Sequence, residues 1–63
     1  MKNRIRELRK ELKMSQEELA RLCEVSGQTI NAIENDKYDP SLPLALKLAK
    51  HLNTTVDRLF IFD

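Results

Sequence analysis

Apolar positions recur along the chain at helical rather than strand spacing. Ile5, Leu8 and Leu12 fall at i, i+3 and i+7 among charged residues, which predicts an amphipathic first helix over about residues 2–13. Met14 and Ser15 break that period. Ser15 with Glu18 three residues on forms a capping box, and Leu19, Ala20, Leu22 and Cys23 give a second helix, about residues 16–23, its buried stripe. Glu24 and Val25 make a tight turn, after which Ser26 caps a third helix over about residues 27–35. Only Ile30 and Ile33 are clearly apolar in it, whereas Gln28, Thr29, Asn31 and Asn35 are polar and uncharged. This helix has little to bury and much to present.

Residues 35–40, Asn-Asp-Lys-Tyr-Asp-Pro, form a loop by turn chemistry. Ser41 restarts a helix with Pro43 in its first turn, where the missing N–H costs nothing, and Leu44, Ala45, Leu48, Ala49 and Leu52 form one continuous apolar face. Such a helix belongs at the centre of the fold. Thr54 with Asp57 reads as a second capping box opening a short fifth helix, about residues 55–60, and the tail Ile61-Phe62-Asp63 is apolar and extended. The expectation is one all-α domain over residues 1–63, a compact bundle of five helices with a short extended C-terminal tail. No linker, internal repeat or low-complexity tract interrupts it.

Composition narrows the function classes. At 63 residues the chain is close to the lower size limit for a domain without disulfides or metal, which excludes most enzymes with a large internal pocket. A single glycine, two prolines and three aromatics leave little for a sheet of tight turns. The charged start lacks the apolar core of a signal peptide, no apolar run approaches a membrane span, and the lone Cys23 cannot form an internal disulfide. These features fit a cytoplasmic protein without membrane attachment. Cys23 lies on an apolar stripe and reads as a small core residue, while His51 has no partner at metal-ligand spacing and reads as exposed. With no CxxC, HExxH, GxSxG or glycine-rich phosphate loop, neither an enzyme nor a metal, cofactor or small-molecule substrate is expected.

Charge is uneven although the net value is only +1. Residues 1–13 hold six basic against two acidic side chains, residues 14–40 two basic against six acidic. A basic end on a small protein is commonly a solvated helix face, so charge alone does not decide the partner.

The decisive constellation is SQEELARLCEVSGQTINAIEN, in which two short helices share an apolar inner surface and the second carries amide side chains outside. That is the arrangement of a helix-turn-helix entering the DNA major groove, here over about residues 16–35. Ala20 permits close helix crossing. Each amide offers a donor and an acceptor, the pair that adenine presents in the major groove, and helix N-termini at Gln16 and Gly27 offer N–H groups to phosphate.

From Ile5 through Phe60 the chain resembles the Cro- and phage-repressor-like regulators, the xenobiotic-response-element family, with SQEELA, VSGQTINAIEN, KYDPSL and ALKLAKHLNTTVDRLF in that family's order. The resemblance implies a lambda-repressor-like fold, with helix three as the recognition helix of a homodimer that reads an inverted-repeat operator in double-stranded DNA. It places Gln16 on phosphate, Gly27, Gln28 and Thr29 with nearby Asn31 at the bases, and Asn35, Lys37 and Tyr38 on the DNA backbone, with Ser26 also among the DNA-binding residues. It also pairs Arg9 with Glu34, which the residues themselves allow as either a surface pair or a partly buried bridge beside Leu8 and Ile33. Glu24 stands where the family has glycine in the turn, so a non-glycine residue is expected at φ > 0. Gly27 stands where relatives often carry a long side chain.

Phe60, Ile61 and Phe62 cluster at the end of the chain, and an exposed apolar patch there would make residues 55–63 a dimer contact. The plainer reading packs Phe60 inward on Leu48 and Leu52 while Ile61 and Phe62 fray. An antitoxin-type interaction module with autoregulatory DNA binding is the rival function. RNA binding lacks the aromatic platform that stacks unpaired bases.

Overall fold

Three serines and four left-handed corners punctuate the chain in the computed structural model, which describes residues 1–62. In chain order the elements are β1 (Lys2–Asn3), α1 (Ile5–Glu11), α2 (Gln16–Leu22), α3 (Gly27–Glu34), α4 (Leu42–His51), α5 (Val56–Leu59) and β2 (Phe60–Ile61). Ser15, Ser26 and Ser41 each cap a helix by accepting from the backbone N–H three residues on. At Ser15 the box is complete, because Glu18 accepts from the Ser15 N–H in return.

The helix ends are equally uniform. One residue past the C-caps of α1, α2, α3 and α4, Lys13, Glu24, Asp36 and Asn53 adopt φ of 56°, 61°, 62° and 56°. At each corner two backbone bonds close the end, as where Val25 N–H donates to Ala20 C=O (2.9 Å) and Glu24 N–H to Arg21 C=O (3.2 Å). These are Schellman motifs, built without glycine. The positive φ expected at Glu24 is present, and it recurs at three further corners.

Behind the corners the apolar faces converge. Ile5, Leu19, Ile30, Leu48 and Leu59 are fully enclosed, with Cys23, Ile33 and Leu52 beside them, so the central place of α4 and the core role of Cys23 hold. Met14 and Val25, each the second residue past its C-cap, pack against this core and anchor their corners.

Several expectations are corrected. The first helix begins only at Ile5, because the Asn3 carboxamide accepts from the Ile5 N–H (3.1 Å) and donates to the Ile33 C=O (2.8 Å), holding the residues before it outside the helix. Lys2 and Asn3 instead pair antiparallel with Ile61 and Phe60, so a two-stranded ribbon joins the ends of the helical fold. Leu12, now the C-cap of α1, and Leu22 are exposed rather than buried. Thr54 does not cap α5: its N–H closes the α4 corner on Ala49 C=O, and Thr55 takes the N-cap without a side-chain bond. Phe60 is 5% exposed and belongs to this chain's own core, so it is withdrawn from the dimer patch, whereas Ile61 does not fray but pairs in β2. His51 is half-buried rather than exposed. Asp63, part of the expected tail, lies outside the described residues.

Candidate nucleic-acid interface

The α2–α3 corner carries a groove lined by Gln16, Glu17, Arg21, Gly27, Gln28 and Asn31, with Ala20 and Val25 as its floor. Ile30 and Ile33 turn α3 inward and leave Gln28 and Asn31 exposed on the outside. The predicted residues Gln16, Ser26, Gly27, Gln28 and Asn31 are therefore brought together along one groove. Thr29 stands apart from it. Its hydroxyl and that of Ser26 share a 3.0 Å hydrogen bond, and its N–H donates to Ser26 Oγ (3.2 Å), so both side chains are engaged in the cap. Gly27 has ordinary negative φ, and a Cβ there would meet Glu17 Cγ at 3.5 Å, an ordinary contact. Its lack of a side chain leaves the first turn of α3 open to approach.

Beneath the groove lies a buried carboxylate. The Glu34 side chain is fully enclosed and accepts from Arg9 Nε at Oε2 (2.8 Å), and at Oε1 from Gln16 Nε2 (3.0 Å), Arg6 Nε (3.2 Å) and Arg9 Nη2 (3.3 Å). Arg9, 11% exposed in its side chain, also donates Nη1 to the Met14 C=O (2.9 Å), tying the pair to the α1 corner. Burial is the largest single influence on Glu34 and pushes its carboxyl up. The hydrogen bonds from Arg9, Gln16 and Arg6 and the charge of Arg9 together outweigh it and hold the group below its ordinary value. Of the two readings of Arg9 and Glu34, the buried bridge is the one observed. Arg6 is the member that sequence reasoning missed, since a charged residue on the outer face of α1 carries no local mark of a distant partner.

A second chain of bonds leaves Arg6. Its Nη2 donates to Asn35 Oδ1 (2.9 Å), and Asn35 Nδ2 donates to Asn31 C=O (2.9 Å) and Asn31 Oδ1 (3.1 Å). Asn35 is thus spent inside the protein. Lys37 and Tyr38 lie exposed in the following loop, where the Met1 amino group pairs with Asp36 and with Asp39 (2.8 Å) and offsets two of its acidic charges. Arg21, a further groove residue that the motif reading passed over, follows Glu17 by one turn of α2. Among the described residues no helix is long and apolar enough to cross a membrane.

Comparison with known proteins agrees with this geometry. A helix-turn-helix family model matches residues 5–59. An uncharacterized helix-turn-helix-type transcriptional regulator of Archaeoglobus fulgidus is 49% identical over all of this chain and 90% of its own length. One from Methanocaldococcus jannaschii is 46% identical over all of this chain and 96% of its own. Among solved structures, the restriction-modification controller protein of Aeromonas hydrophila superposes with a TM-score of 0.83 at 37% identity, over 90% of this chain and 86% of that one. The iron(II) enzyme HppE, in complex with substrate, matches with a TM-score of 0.81 at 26% identity, over 90% of this chain but 33% of the enzyme.

Proposed function

Since the chain belongs to the helix-turn-helix family of transcriptional regulators of the xenobiotic-response-element type, we propose that it is a cytoplasmic repressor that reads an inverted-repeat operator in double-stranded DNA as a homodimer. The observation that carries this reading is the outer face of α3, where Gln28 and Asn31 stand exposed along an open groove while Ile30 and Ile33 are buried behind them. Uncharged amides on a rigid helix suit base edges, which are read by paired donors and acceptors. Gln16, Lys37 and Tyr38 flank that face and serve the phosphates, which set register without carrying sequence. Ser26 and Thr29 act by capping α3, and Gly27 lets its first turn approach the DNA closely.

Two copies are needed because one short helix reads few bases. The dimer contact is an apolar edge on which Leu42 and Phe62 line one cavity, with Leu46 one turn further along α4 and Ile61 next to Phe62 in the chain, all four exposed. The same edge would also suit a partner of different sequence, as in an antitoxin-type module, and the mass of the protein alone separates the two readings. Selection of bound fragments from a random duplex pool tests the function itself. The expected product is an inverted repeat with half-sites about 34 Å apart. Failure of any sequence to enrich would overturn the proposal.

A further inference from the structure

The orientation of one groove amide is dictated from outside the groove. A guanidinium carries only donors, so the Asn35 atom at 2.9 Å from Arg6 Nη2 must be its oxygen. The other end of that carboxamide is then the Nδ2 group, and it faces the Asn31 C=O and Oδ1 at 2.9 and 3.1 Å. A donor there requires an acceptor opposite, which settles Asn31 as well: its oxygen lies against Asn35, and its Nδ2 is left without a hydrogen-bond partner among the described residues. Arg6 is itself fixed by Glu34 through Nε (3.2 Å). Arg6 thus donates both ways, to the buried carboxylate that fixes it and to Asn35, which in turn donates to Asn31 at the groove.

We propose that Arg6 and Asn35 hold Asn31 as a hydrogen-bond donor, so that the base it reads is one presenting acceptors, guanine (O6 and N7) or thymine (O4), and not the donor–acceptor pair of adenine. This rests on the reading of α3 as the base-reading helix. Gln28 provides the internal contrast. Its exposed side chain makes no hydrogen bond among the described residues, so its amide turns freely and keeps adenine's bidentate pattern available. Arg6 and Asn35 are positioning residues: they set what Asn31 offers without touching a base.

The test is duplex selection with four proteins. Wild type defines the site, and Asn31→Ala locates the position that this residue reads, by loss of preference there alone. In Asn35→Asp one carboxylate oxygen still accepts from Arg6, while the other faces the Asn31 C=O, a repulsion that weighs on all sequences alike, and the Asn31 side chain, which can bond it only through Nδ2. The Asn31 amide must reverse and present its oxygen. The expected result is a switch at that one position from guanine or thymine to cytosine or adenine, which present an amino donor, by about tenfold. The added negative charge weakens all sequences alike and leaves the other positions unchanged. Asn35→Leu, which has no hydrogen-bonding group, relaxes the position without reversing it, and decides the matter should Asn35→Asp fail to fold. A located position whose preference survives both changes overturns the proposal, as does a selected site that Asn31→Ala leaves intact. No enriched site with wild type would instead remove the DNA-binding reading and the proposal with it.

Discussion

Two regions of the molecule are held by different physics. Around Glu34, α1, α2 and α3 meet through charged and amide side chains, each bond directional, with the Glu34 carboxylate itself enclosed and Arg9 nearly so. Along α4 and the tail the surface is apolar and open, with Leu42 67%, Leu46 54% and Phe62 66% exposed. Directional bonds fix the angle at which a side chain is presented, which is what a groove for base edges needs. Non-directional apolar contact supplies affinity for a matching surface at little cost in geometry, which is what assembly needs. A small chain thus separates reading from pairing by giving each region its own kind of interaction.

Removing the centre of the polar side gives the largest expected effect. In Glu34→Ala, Arg9 remains mostly enclosed without its counter-charge, so stability should fall by roughly 3–5 kcal/mol, measured by urea unfolding. Loss of under about 1 kcal/mol would make the cluster no more than a surface pair. The pH dependence has a definite sign. The Glu34 carboxyl is lowered in the folded state, so the unfolded chain binds the proton more readily. Its contribution is complete above the ordinary carboxylate range and is lost as pH falls through the lowered value. Glu34→Gln should flatten that part of the acid limb.

The apolar side is broken next. Phe62→Asp removes the most exposed aromatic and should weaken self-association by ~1.5–3 kcal/mol, with little change in the unfolding of the single chain, as read by sedimentation equilibrium and thermal melting. A variant that stays dimeric at wild-type strength would move the interface elsewhere. On the reading side, Gln28→Ala should cost ~1–3 kcal/mol on the preferred operator and relax one base position per half-site. An equal loss on every sequence would make Gln28 a phosphate contact.

The same division explains what could be read in advance. The starts of α2, α3 and α4 were legible because each begins with a serine whose cap is a local bond, and because their apolar spacing is local too. The ribbon of Lys2–Asn3 with Phe60–Ile61 was not, since each strand is two residues long and its partner lies at the opposite end of the chain. Lys2 also sits in a run whose period continues that of α1. At the site, Gln28 and Asn31 were legible as uncharged positions opposite Ile30 and Ile33. The bonds of Arg6 to Glu34 and Asn35 cross 28 and 29 residues, and no periodic pattern announces a side-chain bond of that range.

The smallest effect concerns the turn that joins α2 to α3. Glu24 occupies the left-handed region at φ 61°, where a Cβ crowds the following carbonyl at a cost of roughly 1–2 kcal/mol, and its ion pair with Lys47, at 3.8 Å, is exposed. Glycine relieves that crowding but loses more freedom on folding, roughly 0.5–1 kcal/mol. Glu24→Gly should therefore stabilise the protein by ~0.5–1 kcal/mol, and Lys13→Gly, at the α1 corner, by a similar amount that adds to it. Neither residue lines the groove, so operator affinity should not change. Melting curves and binding isotherms of the two single variants and the double variant check both statements. A gain in stability accompanied by weaker operator binding would show that the strained corner helps set the angle between α2 and α3, and that the directional side of the molecule extends beyond Glu34 into its backbone.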